Sequence, residues 1–330
     1  MLRLSDFDYD LPKELIAQYP LRQRQDARLL VVRRKEGLIE DSVFKRLAEY
    51  LGKDDALVLN DTRVVPSRVT GRRETGGKVE FLLLHRKSGL TFASLIKPAR
   101  IKLGEKIACN GGKVYAAVTG KNEVTFHADS AEQVYAHGSM PLPPYIKRQP
   151  EELDRFYYQT VYARQDGSVA APTAGLHFTE DMLKEIALLG VRIAYVTLHI
   201  GYATFKPVKS EDIKQHRMEP EHFFVPPQVP QIIQQVRSRK GRVIAVGTTS
   251  LRALESYYAG IQGGSTDLFI YPGYECKAVD CLLTNFHLPR TTLFMLVCAL
   301  AGTDLMRKAY RHAVESRYRF YSYGDAMLIL

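Results

Sequence analysis

Tryptophan is absent from this chain of 330 residues, and cysteine occurs only four times. Cys109, Cys276, Cys281 and Cys298 are scattered and never spaced C-x-x-C, which argues against a disulfide framework and a cysteine zinc site. Long hydrophobic runs are missing as well. The longest, Leu293 to Ala301, falls far short of the ~20 residues needed to span a bilayer and reads as a buried helix. Met1-Leu2-Arg3-Leu4-Ser5-Asp6 has no apolar stretch of leader-peptide length and no small-residue cleavage site. With the cysteines scattered, a reducing cytoplasm is the expected location. No internal repeat or low-complexity segment stands out, and neither a G-x-G-x-x-G fingerprint nor a G-K-[ST] phosphate loop occurs.

Hydrophobic residues at 45% and charged ones at 25% fit a soluble globular chain with room for two cores. Lysine and arginine number 46 against 36 acidic residues, a net charge of +10. That excess suits a polyanionic partner, nucleic acid first, though a solvated basic surface explains charge alone equally well.

The first stretch reads as mixed α/β. Leu29–Val32 and Ala56–Leu59 are strand candidates, and Ser42 is expected to cap a helix bearing Phe44, Leu47 and Leu51, stopped at Gly52. From about Val69 to Ala128 short β-type runs (Val79–Leu84, Thr91–Ile96, Val114–Val118, Glu123–His127) alternate with glycine punctuation at Gly71, Gly76, Gly89, Gly104 and Gly120. This pattern predicts a small barrel or sandwich inserted at 68–144 and closed by Pro141-Leu142-Pro143-Pro144. Residues 1–67 and 145–330 form the expected discontinuous α/β unit. Its predicted strands are Ile193–Leu198, Val243–Val246 and Cys281–Leu283, and its helices are Glu180–Leu189, Pro230–Lys240, Leu251–Tyr258, Thr292–Ala301 and Asp304–Arg317. Such alternation implies a mixed, partly parallel sheet.

Four of these strands end in polar bursts: Asn60-Asp61-Thr62-Arg63, His199-Ile200-Gly201-Tyr202, Gly247-Thr248-Thr249-Ser250-Leu251-Arg252 and Thr284-Asn285-Phe286-His287. Ligands of open α/β sheets bind outside the carboxyl ends of strands, so neighbouring strands would bring all four ends to one site. A hydrogen-bonded turn explains any one of them singly. Thr249 or Ser250 is expected to cap the helix after Gly247, leaving N–H groups for an anion; a plain cap explains the segment too. Arg252 and Glu255, at i and i+3, fit a surface ion pair. The small-residue loop Val169–Phe178 delivers His177 just before a helix, where the dipole would keep the imidazole neutral; a structural histidine fits as well. His216-Arg217-Met218-Glu219-Pro220-Glu221-His222 is dense in titratable groups, but Pro220 disfavours helical metal ligation. Cys276, Cys281 and His287 read as buried groups rather than metal ligands.

Phe7-Asp8-Tyr9-Asp10-Leu11-Pro12, Leu59-Asn60-Asp61-Thr62-Arg63-Val64 and Met140-Pro141-Leu142-Pro143-Pro144-Tyr145-Ile146 come in series. Ala171-Pro172-Thr173-Ala174-Gly175-Leu176-His177-Phe178, Val246–Arg252, Thr284–Pro289 and Tyr321–Met327 follow. Together they resemble the S-adenosylmethionine:tRNA ribosyltransferase-isomerases of queuosine biosynthesis. Ala203 and Glu219 stand where that family's pattern has a glycine and a histidine, and the link from Glu255 to Thr266 is shorter than usual.

The resemblance implies an α/β catalytic domain with an inserted β-barrel. It implies transfer and isomerisation of the ribosyl part of S-adenosylmethionine onto 7-aminomethyl-7-deazaguanine at the tRNA wobble position. Epoxyqueuosine would be formed and adenine and methionine released, so S-adenosylmethionine is a consumed co-substrate. A monomer without metal is expected. The base that removes the proton beside the sulfonium is sought among His177, His199, Glu221 and His287, with His177 favoured. Arg252, with Thr249 and Ser250, would hold the methionine carboxylate; Tyr271 or Phe286 would face the sulfonium; Asp61, Arg63, Thr248 and Asn285 would complete substrate binding. Arg22, Arg24, Arg28, Arg68, Arg72, Arg73, Lys97, Arg100 and Lys102 are candidate tRNA phosphate contacts. A methyltransferase using the same co-substrate and a non-catalytic RNA-binding module are the competing readings.

Overall fold

The protein is described here as a computed structural model covering residues 2–202, 208 and 210–330; Ala203 lies outside the described residues. The chain opens with β1 (Arg28–Arg33), β2 (Leu38–Val43), β3 (Ala56–Asn60) and β4 (Thr62–Val64). Six further strands follow, β5 (Arg68–Arg73), β6 (Lys78–Ser88), β7 (Thr91–Lys97), β8 (Lys106–Cys109), β9 (Val114–Gly120) and β10 (Glu123–His127). Then come helices α1 (Ala131–Ala136) and α2 (Glu152–Tyr157), β11 (Gln165–Ser168), α3 (Glu180–Leu188) and β12 (Arg192–Leu198). The remainder is β13 (Glu221–Phe224), α4 (Gln228–Ser238), β14 (Val243–Val246), α5 (Gly247–Tyr258), β15 (Gly263–Thr266), β16 (Cys281–Asn285), α6 (Thr292–Ala301), α7 (Thr303–Glu315) and β17 (Ala326–Ile329).

Nine strands form one mixed sheet in the order β15-β13-β12-β3-β14-β16-β17-β1-β2. Strands β12, β3, β14 and β16 are adjacent and mutually parallel. Successive side chains on a strand face opposite ways, and the apolar sequence follows that period. Ala56, Val58, Val243 and Ala245 enter one core with α4–α7, whereas Leu57, Leu59, Ile244 and Val246 enter another with Phe44, Phe178, Leu183 and Ile186. Both faces of the sheet are therefore covered.

Strands β5–β10 close into an antiparallel barrel, β10-β7-β6-β5-β8-β9, around Val79, Phe81, Phe92, Ile107 and Val124. Gly71 is mid-strand rather than a turn: a Cβ there would stand 2.6 Å from Ile107 Cγ2, so its glycine lets β5 and β8 approach. An antiparallel bridge between Arg68 and Ser139 places the barrel's exit beside its entry.

The helix expected at Ser42 is not there. Ser42 pairs with Leu29 in a β1–β2 hairpin, and Phe44–Tyr50 is a 3-10 run after Val43. Its core contacts remain, since Phe44 and Leu47 are fully buried. Among the described residues no helix is long and apolar enough to cross a membrane.

Candidate active site

The carboxyl ends of β12, β3, β14 and β16 lie side by side, and a cavity of about 610 Å³, counting its open mouth, sits beyond them. Its walls are Thr248 and Thr249, Thr284 to His287, the loop 170–174, Ile200, Tyr145, Tyr158, Tyr321 and Ser322.

Asn60, at the end of β3, ties the rim together. Its amide donates to the Leu198 carbonyl at 2.9 Å and to Thr249 Oγ1 at 3.0 Å, and its Oδ1 accepts from Leu198 N at 3.0 Å. One carboxamide thus joins the ends of β3 and β12 to the first turn of α5. Ser168 acts similarly for the small-residue loop, donating to the Ala170 carbonyl at 2.6 Å and accepting from Ile200 N at 3.0 Å.

Helix α5 begins directly at the end of β14, a turn earlier than the sequence predicts. Gly247 turns the chain with a φ of +86°, which a side chain would resist. Neither Thr249 nor Ser250 caps the helix: Val246 is the N-cap without a side-chain bond, Thr249 is held by Asn60, and Ser250 donates to the Val246 carbonyl at 2.7 Å. An end without a side-chain cap facing the cavity is a natural anion site.

His287 borders the cavity, and its placement reaches across the chain. Its backbone N–H donates to Tyr310 Oη at 3.0 Å, and Tyr9, from the N-terminal segment, donates to its carbonyl. Its Nε2 lies 3.0 Å from Thr284 Oγ1. Burial pushes its pKa down to about 3. His177 stands in a neighbouring recess with Arg24, Tyr157, Tyr323 and Ser322, the last of which also borders the main cavity. Its pKa falls to about 4, mainly through burial, opposed by the Asn285 side chain and the Arg24 backbone. The imidazole is neutral as expected, but desolvation rather than a helix end is the leading cause. Asn285 donates to the Tyr321 carbonyl at 2.8 Å.

Both folded-state values lie below the ordinary histidine value, so the unfolded chain takes up protons first on acidification. The two rings cost no stability above pH 6.5, and stability falls as pH drops from there towards 4 and 3. Thermal unfolding across this window should show the decline, and His177→Gln should flatten it. A melting temperature level from pH 6.5 to 4 would contradict the burial of these rings.

Several expected site residues lie elsewhere. His199 flanks the site, its Nδ1 2.7 Å from Thr62 Oγ1 and its ring stacked on His222 at 6.1 Å; burial lowers its pKa. Asp61 is buried and accepts from the Thr197 hydroxyl at 2.7 Å, while Arg63 is exposed and pairs with Asp166 at 3.6 Å. Arg252 and Glu255 do not form a surface pair. Arg252 makes a buried ion pair with Glu221 and donates to the Leu268 carbonyl at 3.1 Å; Glu221 also accepts from Gly201 N at 2.8 Å. Glu255 is buried and accepts from Tyr274 Oη and from the backbone N–H groups of Lys277, Ala278 and Val279. Tyr271 lines a separate depression with Leu2, Lys214 and Phe269. Phe286 borders the cavity with its ring packed on Tyr310 and Phe320. Among the described residues no three His, Cys, Asp or Glu side chains converge as metal ligands.

Sequence reasoning passed over Asn60 as a rim residue and Tyr145, Tyr158 and Tyr321 as wall residues. The signal for Asn60, Tyr145 and Tyr321 was present in the blocks Leu59–Val64, Met140–Ile146 and Tyr321–Met327 that carry the resemblance; Tyr158 lies outside them.

The family described as "Queuosine biosynthesis protein" matches residues 4–329. The S-adenosylmethionine:tRNA ribosyltransferase-isomerase of Symbiobacterium thermophilum is 52% identical over 344 aligned residues, covering all of both chains. The protein of that name from Sulfurihydrogenibium is 48% identical, again over the whole of each. A crystal structure titled S-adenosylmethionine tRNA ribosyltransferase from Thermotoga maritima is 35% identical with a TM-score of 0.58, covering 98% of this chain and 100% of its own. The whole length described above, sheet and barrel alike, thus belongs to the queuosine biosynthesis protein family, a family of enzymes whose curated relatives are ribosyltransferase-isomerases.

Proposed function

We propose that this chain moves the ribosyl part of S-adenosylmethionine onto 7-aminomethyl-7-deazaguanine at the tRNA wobble position. Isomerisation yields epoxyqueuosine and releases adenine and methionine. The observation that carries this reading is the cavity at four adjacent parallel strand ends, which joins a helix N-terminus, tyrosine rings and a neutral histidine in one space.

Each part of the co-substrate has a counterpart there. The N-terminal turn of α5, with Thr248 and Thr249, suits the methionine carboxylate. Tyr145 and Tyr321, with ring centroids 3.8 Å apart, offer aromatic faces to the sulfonium. The sulfonium acidifies the adjacent C–H, whose proton must pass to a base while adenine leaves. His287, whose Nε2 meets Thr284 Oγ1, is the candidate at the cavity wall: in the tautomer that carries the proton on Nε2, its Nδ1 has the lone pair. The amine of the deazaguanine then attacks the sugar and loses a proton, for which neutral His177 stands on the other side of Asn285. Epoxide closure expels methionine. Every group invoked belongs to one chain, so no second subunit is needed, and the cytoplasm is where the tRNA would be met.

The basic candidates divide. Arg28 is paired with Asp41, Arg68 with Glu80 and Arg73 with Glu105, and Arg24 is committed to backbone carbonyls. Arg22, Arg72, Lys97, Arg100 and Lys102 are exposed. Replacing the last four by alanine should weaken tRNA binding and reduce the slope of log affinity against log salt by up to about 0.9 per lost phosphate contact. An unchanged slope would remove this part of the barrel from the tRNA footprint.

The deciding experiment is incubation with S-adenosylmethionine and tRNA carrying the precursor base. Adenine, methionine and a nucleoside of epoxyqueuosine mass are expected. S-adenosylhomocysteine in their place would overturn the reading in favour of methyl transfer.

A further inference from the structure

Among the described residues, the strongly exposed aromatic side chains are Tyr19, Phe156 and Phe224, at 48%, 65% and 50% exposure. Two of the three sit at the short helix α2, Phe156 within it and Tyr19 bonded to Glu151 at its start. Both are built into the surface. Arg24 lies 4.8 Å from the Phe156 ring centroid and donates to the carbonyls of Phe156 at 2.6 Å and Gln159 at 2.7 Å. Arg148 lies 4.2 Å from the Tyr19 ring and is locked to Asp154 by two bonds of 2.7 Å. Each ring therefore has a fixed guanidinium over one face, which holds it in place while much of the ring stays exposed.

The same helix leads inward. Tyr157, next to Phe156, lines the recess that contains Arg24 and His177, and Ser322 borders both this recess and the main cavity. Arg22, Lys147 and Arg155 are exposed nearby, while Glu151 and Glu152 are engaged by Tyr19 and Arg155. Exposed rings, guanidinium planes and exposed cations beside a recess are the chemistry that holds unstacked bases of single-stranded RNA.

Resting on the function proposed above, we infer that the α2 surface bearing Phe156 and Tyr19 receives the single-stranded loop of the tRNA. Bases flanking the target stack on these rings, and the target base reaches towards the Tyr157–His177 recess. A protein partner would use the exposed rings but would have no need of the adjoining recess.

The test measures binding of an anticodon stem-loop RNA to the full chain and to Phe156→Ala, Tyr19→Ala and Phe156→Trp. Phe156→Ala should bind about tenfold to a hundredfold more weakly, and Tyr19→Ala should also weaken binding. Phe156→Trp should restore it. S-adenosylmethionine affinity and melting temperature should not move, and the salt slope should hold, because stacking neutralises no phosphate. Wild-type RNA binding in both alanine variants, or a loss matched by an equal change in salt slope, overturns the inference. If those variants bind normally while the wild type still releases adenine from S-adenosylmethionine, only this docking surface is wrong. If the wild type releases none, the proposed reaction is wrong instead.

Discussion

Replacing His287 by asparagine should lower turnover by about 10²–10⁴-fold, the usual contribution of a placed general base, while S-adenosylmethionine affinity stays within a few fold. Thr284 holds the ring at Nε2 while Tyr310 and Tyr9 fix the residue's backbone N–H and carbonyl, and His287 borders the cavity where the sulfonium carbon would lie. Asparagine can keep a hydrogen bond to Thr284 but cannot take a proton from carbon. The pH profile gives a second readout. Since burial pushes the His287 pKa down to about 3, no acid limb from this residue should appear near pH 6.5. A limb there, or near-normal turnover of the asparagine variant, would return the role to another group. His177→Ala, measured alongside, separates the two neutral histidines: a loss confined to the amine-transfer step, with adenine still released, would fit a base acting after His287.

Glu221→Ala should destabilise the fold by roughly 3–5 kcal/mol, because it strands the Arg252 guanidinium in a buried setting. Glu221 and Arg252 are each about 4% exposed, and the carboxylate also holds Gly201 N at the start of the loop after β12. The sequence suggests catalysis or substrate binding for both residues, whereas the geometry makes them partners of each other. The double variant Glu221→Leu/Arg252→Met removes both charges and should recover much of the loss in a thermal or urea unfolding series. A Glu221→Ala protein with wild-type stability but no turnover would instead support a chemical role.

How much was legible can be traced residue by residue. Strands β3, β12, β14 and β16 were visible because parallel strands buried on both faces are short, nearly continuous apolar runs. The barrel was visible because its strands alternate between glycine-marked turns. Strand β2, read partly as a helix, was not. Leu38–Val43 is largely exposed, carries no strong apolar signal, and is recruited only by pairing with β1. Gly71 misled for the opposite reason: a glycine that permits close strand contact looks the same in sequence as one that permits a turn.

The amino-acid order by itself fixed which segments bury which faces, and it marked four polar strand ends as the place for chemistry, since both follow from local periodicity and composition. Only the folded chain decided who meets whom. It set Arg252 on Glu221, moved Tyr271 to another depression, placed His177 behind Asn285 and brought Tyr9 and Tyr321 to a site hundreds of residues from Tyr9 in sequence. Those choices depend on strand order and on which buried polar group finds a partner, and neither is encoded within any one segment.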